Sequence, residues 1–376
     1  MADRLTRRDM LATAVVAGGL AYATPLLTAS AAPIVADAGS MTLRQRAARK
    51  GLLCGAEVVA PNLAKDTRLR NVLIQDANIL VPGNELKWKR LQPTADGPMN
   101  FGPAEAIYDF ARAHDMAMRG HCLTWYRGEP DWAIEKIGQM TAGQAGDFLT
   151  GYVGKVVGHW AGRLVQWDVA NEPIDAKGDL SEPLFVNKLG ERYLDLAFHA
   201  AHEADPTALL MMNATLVEQD WWYEDRQRDQ TLRLVERLLK RGVPVQGFGL
   251  EGHLRTELGL SESKLRQFLD ELTGMGLTLM VTELDVNDAG TLGSIPTRDQ
   301  ASAVLAGAFL DIMLSYRNCR GLLTWDAVDR YTWLATEPKK ARADGAPQRP
   351  DLRDVDYKRK PLWHAVANAI DNAPAR

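Results

Sequence analysis

The chain has 376 residues, with 44 lysines and arginines against 48 aspartates and glutamates and a formal charge of −4. This length suits one large α/β domain rather than a small disulfide scaffold. The mildly acidic balance shows no sign of nucleic-acid binding and is compatible with a neutral ligand.

In chain order, the first segment reads as an address. Thr6-Arg7-Arg8-Asp9-Met10-Leu11 sets a twin arginine before an apolar stretch from Leu11 to Leu27. That stretch is short for a membrane span and rich in Ala and Gly. Ala29-Ser30-Ala31 then offers small residues for cleavage. Residues 1–31 are expected to be a Tat-type signal peptide that exports folded protein to the periplasm or the medium. An uncleaved membrane anchor is the competing reading. Removing three arginines and two aspartates with the segment takes the formal charge from −4 to −5. Nothing later in the chain reads as transmembrane, so no membrane contact is expected after cleavage.

Eight short apolar runs follow: Leu52–Ala56, Ile79–Val81, Met118–Leu123, Val165–Val169, Leu209–Met212, Val245–Leu250, Leu279–Thr282 and Leu322–Trp325. Amphipathic stretches lie between them. Phe101-Gly102-Pro103 opens one helix, with proline suited to a first turn. Ser261 and Ser263 can cap a helix through Leu265, Leu269 and Leu272. Asp299 to Tyr316 carries apolar residues at helical spacing. Eight strands alternating with helices predict a single-domain α/β chain folded as a (β/α)8 TIM barrel over residues 40–372. Apart from the signal region, only a Pro-rich stretch around Pro338–Pro350 interrupts the alternation.

The cysteines are Cys54, Cys122 and Cys319. An odd, small number makes no disulfide framework, and two of them lie in apolar runs. Buried, inert thiols are expected. No pair has metal-site spacing, and neither a metal nor a cofactor is expected.

Polar residues gather at the C-terminal ends of the strands, where a barrel of this kind builds its sites. Asn84 and Lys87 follow the second, His121 and Trp125 lie in and after the third, and Asn171 and Glu172 end the fourth. Glu251 and His253 end the sixth, Glu283 the seventh and Trp325 the eighth. Two glutamates stand out, in Trp167-Asp168-Val169-Ala170-Asn171-Glu172-Pro173 and in Val281-Thr282-Glu283-Leu284-Asp285. A lone strand-end glutamate is most often a surface or salt-bridge residue. Here Asn171 precedes the first and Asp285 follows the second, supplying partners for a tuned carboxylate. A carboxylate at the end of a buried strand is costly without a role. Two from distant parts of the chain suggest the paired carboxyls of glycosidic bond hydrolysis, one an acid and the other a nucleophile or base.

Five motifs, in order, resemble those of family 10 glycoside hydrolases, the endo-β-1,4-xylanases. They are Arg119-Gly120-His121-Cys122-Leu123-Thr124-Trp125, Trp167 to Glu172, Gly247-Phe248-Gly249-Leu250-Glu251-Gly252-His253-Leu254, Thr282-Glu283-Leu284-Asp285, and Thr324-Trp325 with Asp329-Arg330-Tyr331-Thr332-Trp333. The resemblance runs from about Gly51 to His364. It implies retaining hydrolysis of a β-1,4-linked xylose polymer or oligomer by a monomer, with Glu172 as acid/base and Glu283 as nucleophile. His253 would hydrogen-bond Glu283 while Asp285 orients the imidazole; without the motif, His253 would read equally well as a satisfied core histidine. Asn171 would bind the 2-hydroxyl. Asn84, Lys87 and His121 would bind sugars on the non-reducing side, and Trp125, Trp325 and Trp333 would offer flat apolar faces. Trp221, Trp222 and Trp363 read better as packing or loop anchors.

The chain departs from the family pattern in places. Pro82-Gly83-Asn84-Glu85-Leu86-Lys87 replaces Pro-Glu-Asn before the lysine, so a sugar-binding glutamate is missing unless Glu85 swings in, and Gly83→Glu is expected to raise activity. Tyr126 stands for a histidine, and Met212-Asn213-Ala214-Thr215 lacks the Asp-Tyr-Asn that usually ends the fifth strand. Glu251 stands for a glutamine and is expected to hold a proton beside Glu283, the alternative being that it points to Lys87 or solvent. Two other functions compete: another β-glycosidase of the same clan acting on short oligosaccharides, and a sugar-binding barrel that has lost catalysis.

Overall fold

The computed structural model describes residues 40–376 apart from Glu182; the expected signal peptide lies outside them. Nine parallel strands build one sheet: β1 (Leu53–Val58), β2 (Ile79–Pro82), β3 (Ala117–Met118), β4 (Gln166–Asn171), β5 (Leu209–Ala214), β6 (Gly247–Leu250), β7 (His253–Arg255), β8 (Thr278–Asn287) and β9 (Cys319–Thr324). Their order is β3-β2-β1-β9-β8-β6-β5-β4, and β7, a short continuation of β6, pairs with β8. The third run closes the ring. Beyond β3, Gly120 and Thr124 bridge Trp167 and Ala170 of β4 in parallel, and Gly120 N donates to Gln166 O at 2.8 Å. The result is the expected eight-stranded barrel, with β6 and β7 as one stave.

Strand alternation sorts the side chains into two layers. Ile79, Val81, Met211, Met280 and Leu323 meet inside the barrel, with Leu53 and Leu209 packed on them. Their neighbours Cys54, Leu80, Leu210 and Met212 face the surrounding helices. The parity continues upward, so Gly55 and Glu57 of β1, Asn213 of β5 and Glu251 after β6 also face inward. The lower interior is apolar and the upper interior polar, and this layering makes the site.

The helices fit their local signals. One spans Gly102–Ala113 with Pro103 in its first turn. Another spans Glu262–Gly274, and Ser261 accepts from Lys264 N. The helix expected from Asp299 begins earlier and spans Ile295–Ser315, because Ser294 caps it and Pro296 takes its first turn. All three cysteines are buried and free. Burial pushes the Cys54 and Cys122 thiols up and the Cys319 thiol to about 11, which keeps them inert. No described helix is long and apolar enough to cross a membrane.

Candidate active site

Glu172 follows the end of β4 with φ +49°, a left-handed conformation that is uncommon outside glycine. Its N–H donates to Asn213 O at 2.8 Å, and its carboxyl accepts from Trp125 Nε1 at 3.0 Å. Glu172 is half-buried. Tyr126 lies against it; burial, then the Glu172 charge, raise the Tyr126 hydroxyl above its ordinary range.

Glu283 sits where β8 slips register against β9, between Val281 and Leu284. This irregularity turns its side chain into the barrel mouth. Oε1 accepts from Asn213 Nδ2 at 2.8 Å and lies 3.8 Å from His121 Nδ1. Oε2 lies 3.4 Å from His253 Nε2. Burial alone would push this carboxyl up; the His121 charge and the hydrogen bond and charge of His253 more than offset that and hold it at about 2. Glu283 is therefore an anion throughout the neutral range.

His253 is held from behind, with Nδ1 2.9 Å from Asp285 Oδ2, an oxygen that also accepts from Trp333 Nε1 at 2.6 Å. Burial lowers the imidazole, but Asp285 and then Glu283 outweigh it, so His253 titrates well above its ordinary value. His121 is backed in the same way by Asp168, at 2.9 Å. Asp168 also pairs with the fully buried Arg119.

Glu251 is 1% exposed and turns neither to Lys87 nor to solvent. Its carboxyl lies 3.4 Å from Asn213 Nδ2 and 3.8 Å from His253 Nε2. Burial, then the charges of Glu283 and Glu172, raise it well above the usual carboxylate range. Glu251, His253 and Glu283 bring three ligand atoms within 4.8 Å of one another, the one group among the described residues with metal-ligand spacing. Ligation there would occupy the Glu283 oxygens, so no metal is assigned to it.

Asn213 stood in the sequence only as part of a departure from the family pattern, with no role given to it. Its Nδ2 also donates to Asn171 Oδ1 at 2.8 Å, and its Oδ1 accepts from Thr282 Oγ1 at 2.6 Å. A Cβ at Gly249 would lie 2.1 Å from Asn213 Oδ1, so only glycine leaves room for this amide. A polar residue in an apolar strand, Leu209-Leu210-Met211-Met212-Asn213, was the available signal.

Around this centre, Lys87 Nζ lies 4.8 Å from the Trp125 ring and 5.6 Å from the Trp325 ring, and 3.5 Å from Asn84 Oδ1. Trp325 meets the His121 ring edge-on at 5.1 Å, and Trp333 meets His253 at 5.1 Å. The site residues expected from the sequence thus gather at one end of the barrel. By contrast Trp363 is buried, donating to Asp76 at 3.0 Å, and Trp222 is 71% exposed.

Two expectations about the second sugar site change. Glu85 does not swing in: its carboxyl accepts from Ala60 N at 2.7 Å and Asn84 N at 3.1 Å, fixing the loop backbone. Nor is the space at Gly83 open, since a Cβ there would lie 1.5 Å from Glu57 Oε1. Gly83→Glu alone would therefore clash rather than improve binding. Glu57, unnoticed in the sequence, was legible as a lone acid in the apolar run Leu53-Cys54-Gly55-Ala56-Glu57-Val58.

Comparison with known proteins agrees with this geometry. The model of glycosyl hydrolase family 10 matches residues 42–369. The chain belongs to that family. Endo-1,4-beta-xylanase B of Paenibacillus barcinonensis is 33% identical over 279 residues, 70% of this chain and 81% of that protein. Among solved structures, xylanase 10B of Thermotoga maritima superposes with a TM-score of 0.80 at 27% identity, covering 88% of this chain and 98% of that one. Xylanase 10B of Thermotoga petrophila, solved with xylobiose, gives 0.80 at 26% identity, covering 89% and 99%. The family 10 chain is a glycoside hydrolase on the TIM-barrel scaffold.

Proposed function

We propose that this family 10 hydrolase cleaves β-1,4-xylan internally with retention, Glu172 acting as acid/base and Glu283 as nucleophile. One observation carries the reading: both glutamates are anchored on Asn213, whose backbone carbonyl receives the Glu172 backbone N–H and whose side-chain amide donates to the Glu283 carboxylate. In the first step Glu283 attacks the anomeric carbon while the Glu172 proton passes to the glycosidic oxygen, and the C1–O bond breaks. In the second, Glu172 takes a proton from water, the water oxygen bonds to C1, and Glu283 leaves. Asn171, its amide oxygen already engaged by Asn213, presents its NH2 to the 2-hydroxyl. Lys87, Asn84 and His121 serve the non-reducing side, and the Trp125, Trp325 and Trp333 rings take sugar faces. The export reading rests on the twin arginine, the apolar stretch from Leu11 to Leu27 and the small residues Ala29-Ser30-Ala31, and the monomer reading on the family resemblance.

The test uses Glu172→Ala and Glu283→Ala on aryl xylobiosides and on soluble xylan. Glu283→Ala is expected to lose all turnover. Glu172→Ala should keep glycosylation of good leaving groups, show slow deglycosylation, and yield a β-configured glycosyl azide with added azide. An α azide, or two variants alike on every leaving group, would reverse the assignment. Faster turnover of cellulosic than of xylan substrates by the wild type would remove xylan as the substrate and favour the clan β-glycosidase.

A further inference from the structure

We propose that Glu57 is a sugar-binding, specificity-determining residue, its carboxyl accepting a hydroxyl of the second sugar on the non-reducing side. The inference rests on the glycosidase reading above. Parity on β1 places Glu57 on the polar upper layer of the interior, above Leu53 and Gly55. In the sheet it pairs with Val81 of β2, while its neighbour Ala56 pairs with Thr324, the residue before Trp325. The carboxyl fills the room that a side chain at Gly83 would take, next to Asn84 and Lys87. It keeps 7% exposure. The Lys87 charge acts on both Glu57 and Glu283, so the three groups share one electrostatic neighbourhood. The strand carrying Glu57 lies across the ring from Glu172, whose proton goes to the departing, reducing-side sugar. Glu57 thus belongs to the part of the chain that stays on the enzyme.

Glu57 is also hydrogen-bonded to Asp326, a residue at φ +85° just past Trp325. Burial pushes Glu57 up to about 7 and Asp326 well above its usual range, so the pair shares a proton. A carboxyl pair with one proton offers both an acceptor and a donor, which suits vicinal hydroxyls. The competing explanation is a lock on the loop after β9, with no sugar contact.

The experiment compares wild type, Glu57→Gln, Glu57→Val, Gly83→Glu and the double variant Glu57→Val with Gly83→Glu. Each is assayed on aryl xyloside and aryl xylobioside, and on aryl glucoside and cellobioside. Folding is checked by melting temperature. Glu57→Val should lower kcat/KM on the disaccharide about tenfold more than on the monosaccharide, and Glu57→Gln less so. Gly83→Glu alone should lower it too, and the double variant should recover most of the loss, since the carboxylate then arises from β2 instead of β1. Equal losses on both chain lengths, or no loss, overturn the role of Glu57. A disaccharide-selective loss confined to the gluco series keeps that role and overturns the xylan reading instead.

Discussion

At the residue scale, the site is a problem of placing several charges in little water. Glu283 and Glu251 share Asn213 and His253, and Glu283 is held at about 2 while Glu251 is pushed up. The pair therefore carries one proton, and Glu251 holds it. Rising pH removes that proton and sets a second negative charge beside Glu283. The sign follows from linkage: the folded-state value of Glu251 lies above the unfolded one. The stability its proton brings is full below the unfolded value and is lost as pH rises through the folded value. Glu251→Gln should keep activity and move the alkaline limb of kcat/KM to higher pH. Its stability relative to wild type should grow as pH rises. Superimposed pH profiles and a constant stability difference would show that Glu251 does not couple to Glu283.

At the scale of elements, ends decide more than middles. The helix Thr67–Asp76 starts at Asp66, whose carboxylate accepts from Arg68 N at 2.8 Å and Leu69 N at 3.1 Å. It also accepts from the hydroxyls of Tyr331, at 2.6 Å, and Tyr357, so one side chain ties this helix to the loop after β9. Burial would raise the Asp66 carboxyl, but the two tyrosines and the two N–H groups outweigh it and hold it at about 2. The stability from its charge is present above the unfolded carboxylate range, about 3.9, and is lost as pH falls toward 2. Asp66→Ala should cost about 0.5–2 kcal/mol at neutral pH. The gap from wild type in urea melts should narrow below about pH 4; a gap unchanged down to pH 3 would count against a role for the charge. The third run contributes only Ala117–Met118 as regular strand, and its later residues make single bridges to β4.

At the scale of the whole molecule, the barrel is clasped by a buried aspartate. Asp76 accepts from Leu43 N at 3.2 Å, from Arg353 Nη2 at 2.6 Å and from Trp363 Nε1 at 3.0 Å. It joins the first described helix (Leu43–Lys50), the loop before the final helix and the final helix itself (Pro361–Asn372), and none of its partners is a residue of the candidate site. Asp76→Ala would leave the Arg353 guanidinium buried without its carboxylate, a change worth about 3–5 kcal/mol. The variant should lose that much stability in denaturant melts while kcat at 25 °C stays near wild type. A loss below about 1 kcal/mol would mean that water replaces the carboxylate.

The sequence alone determined the barrel, and it pointed to the end of it and the two glutamates proposed here for catalysis. Those facts are local: apolar runs of strand length, helical spacing between them, and acids at strand ends whose burial demands a purpose. What only the tertiary structure decided is which groups from distant strands share one space. Asn213 is an ordinary strand residue until β5 curls beside β4 and β6, with Gly249 leaving room for its amide. Glu57 and Gly83 lie far apart in the chain, and only the β1–β2 register sets the carboxyl of one where the side chain of the other would be. Glu251 reads the same in sequence whether it faces solvent or Glu283; the inward parity of its stave, and the burial that follows, settled which.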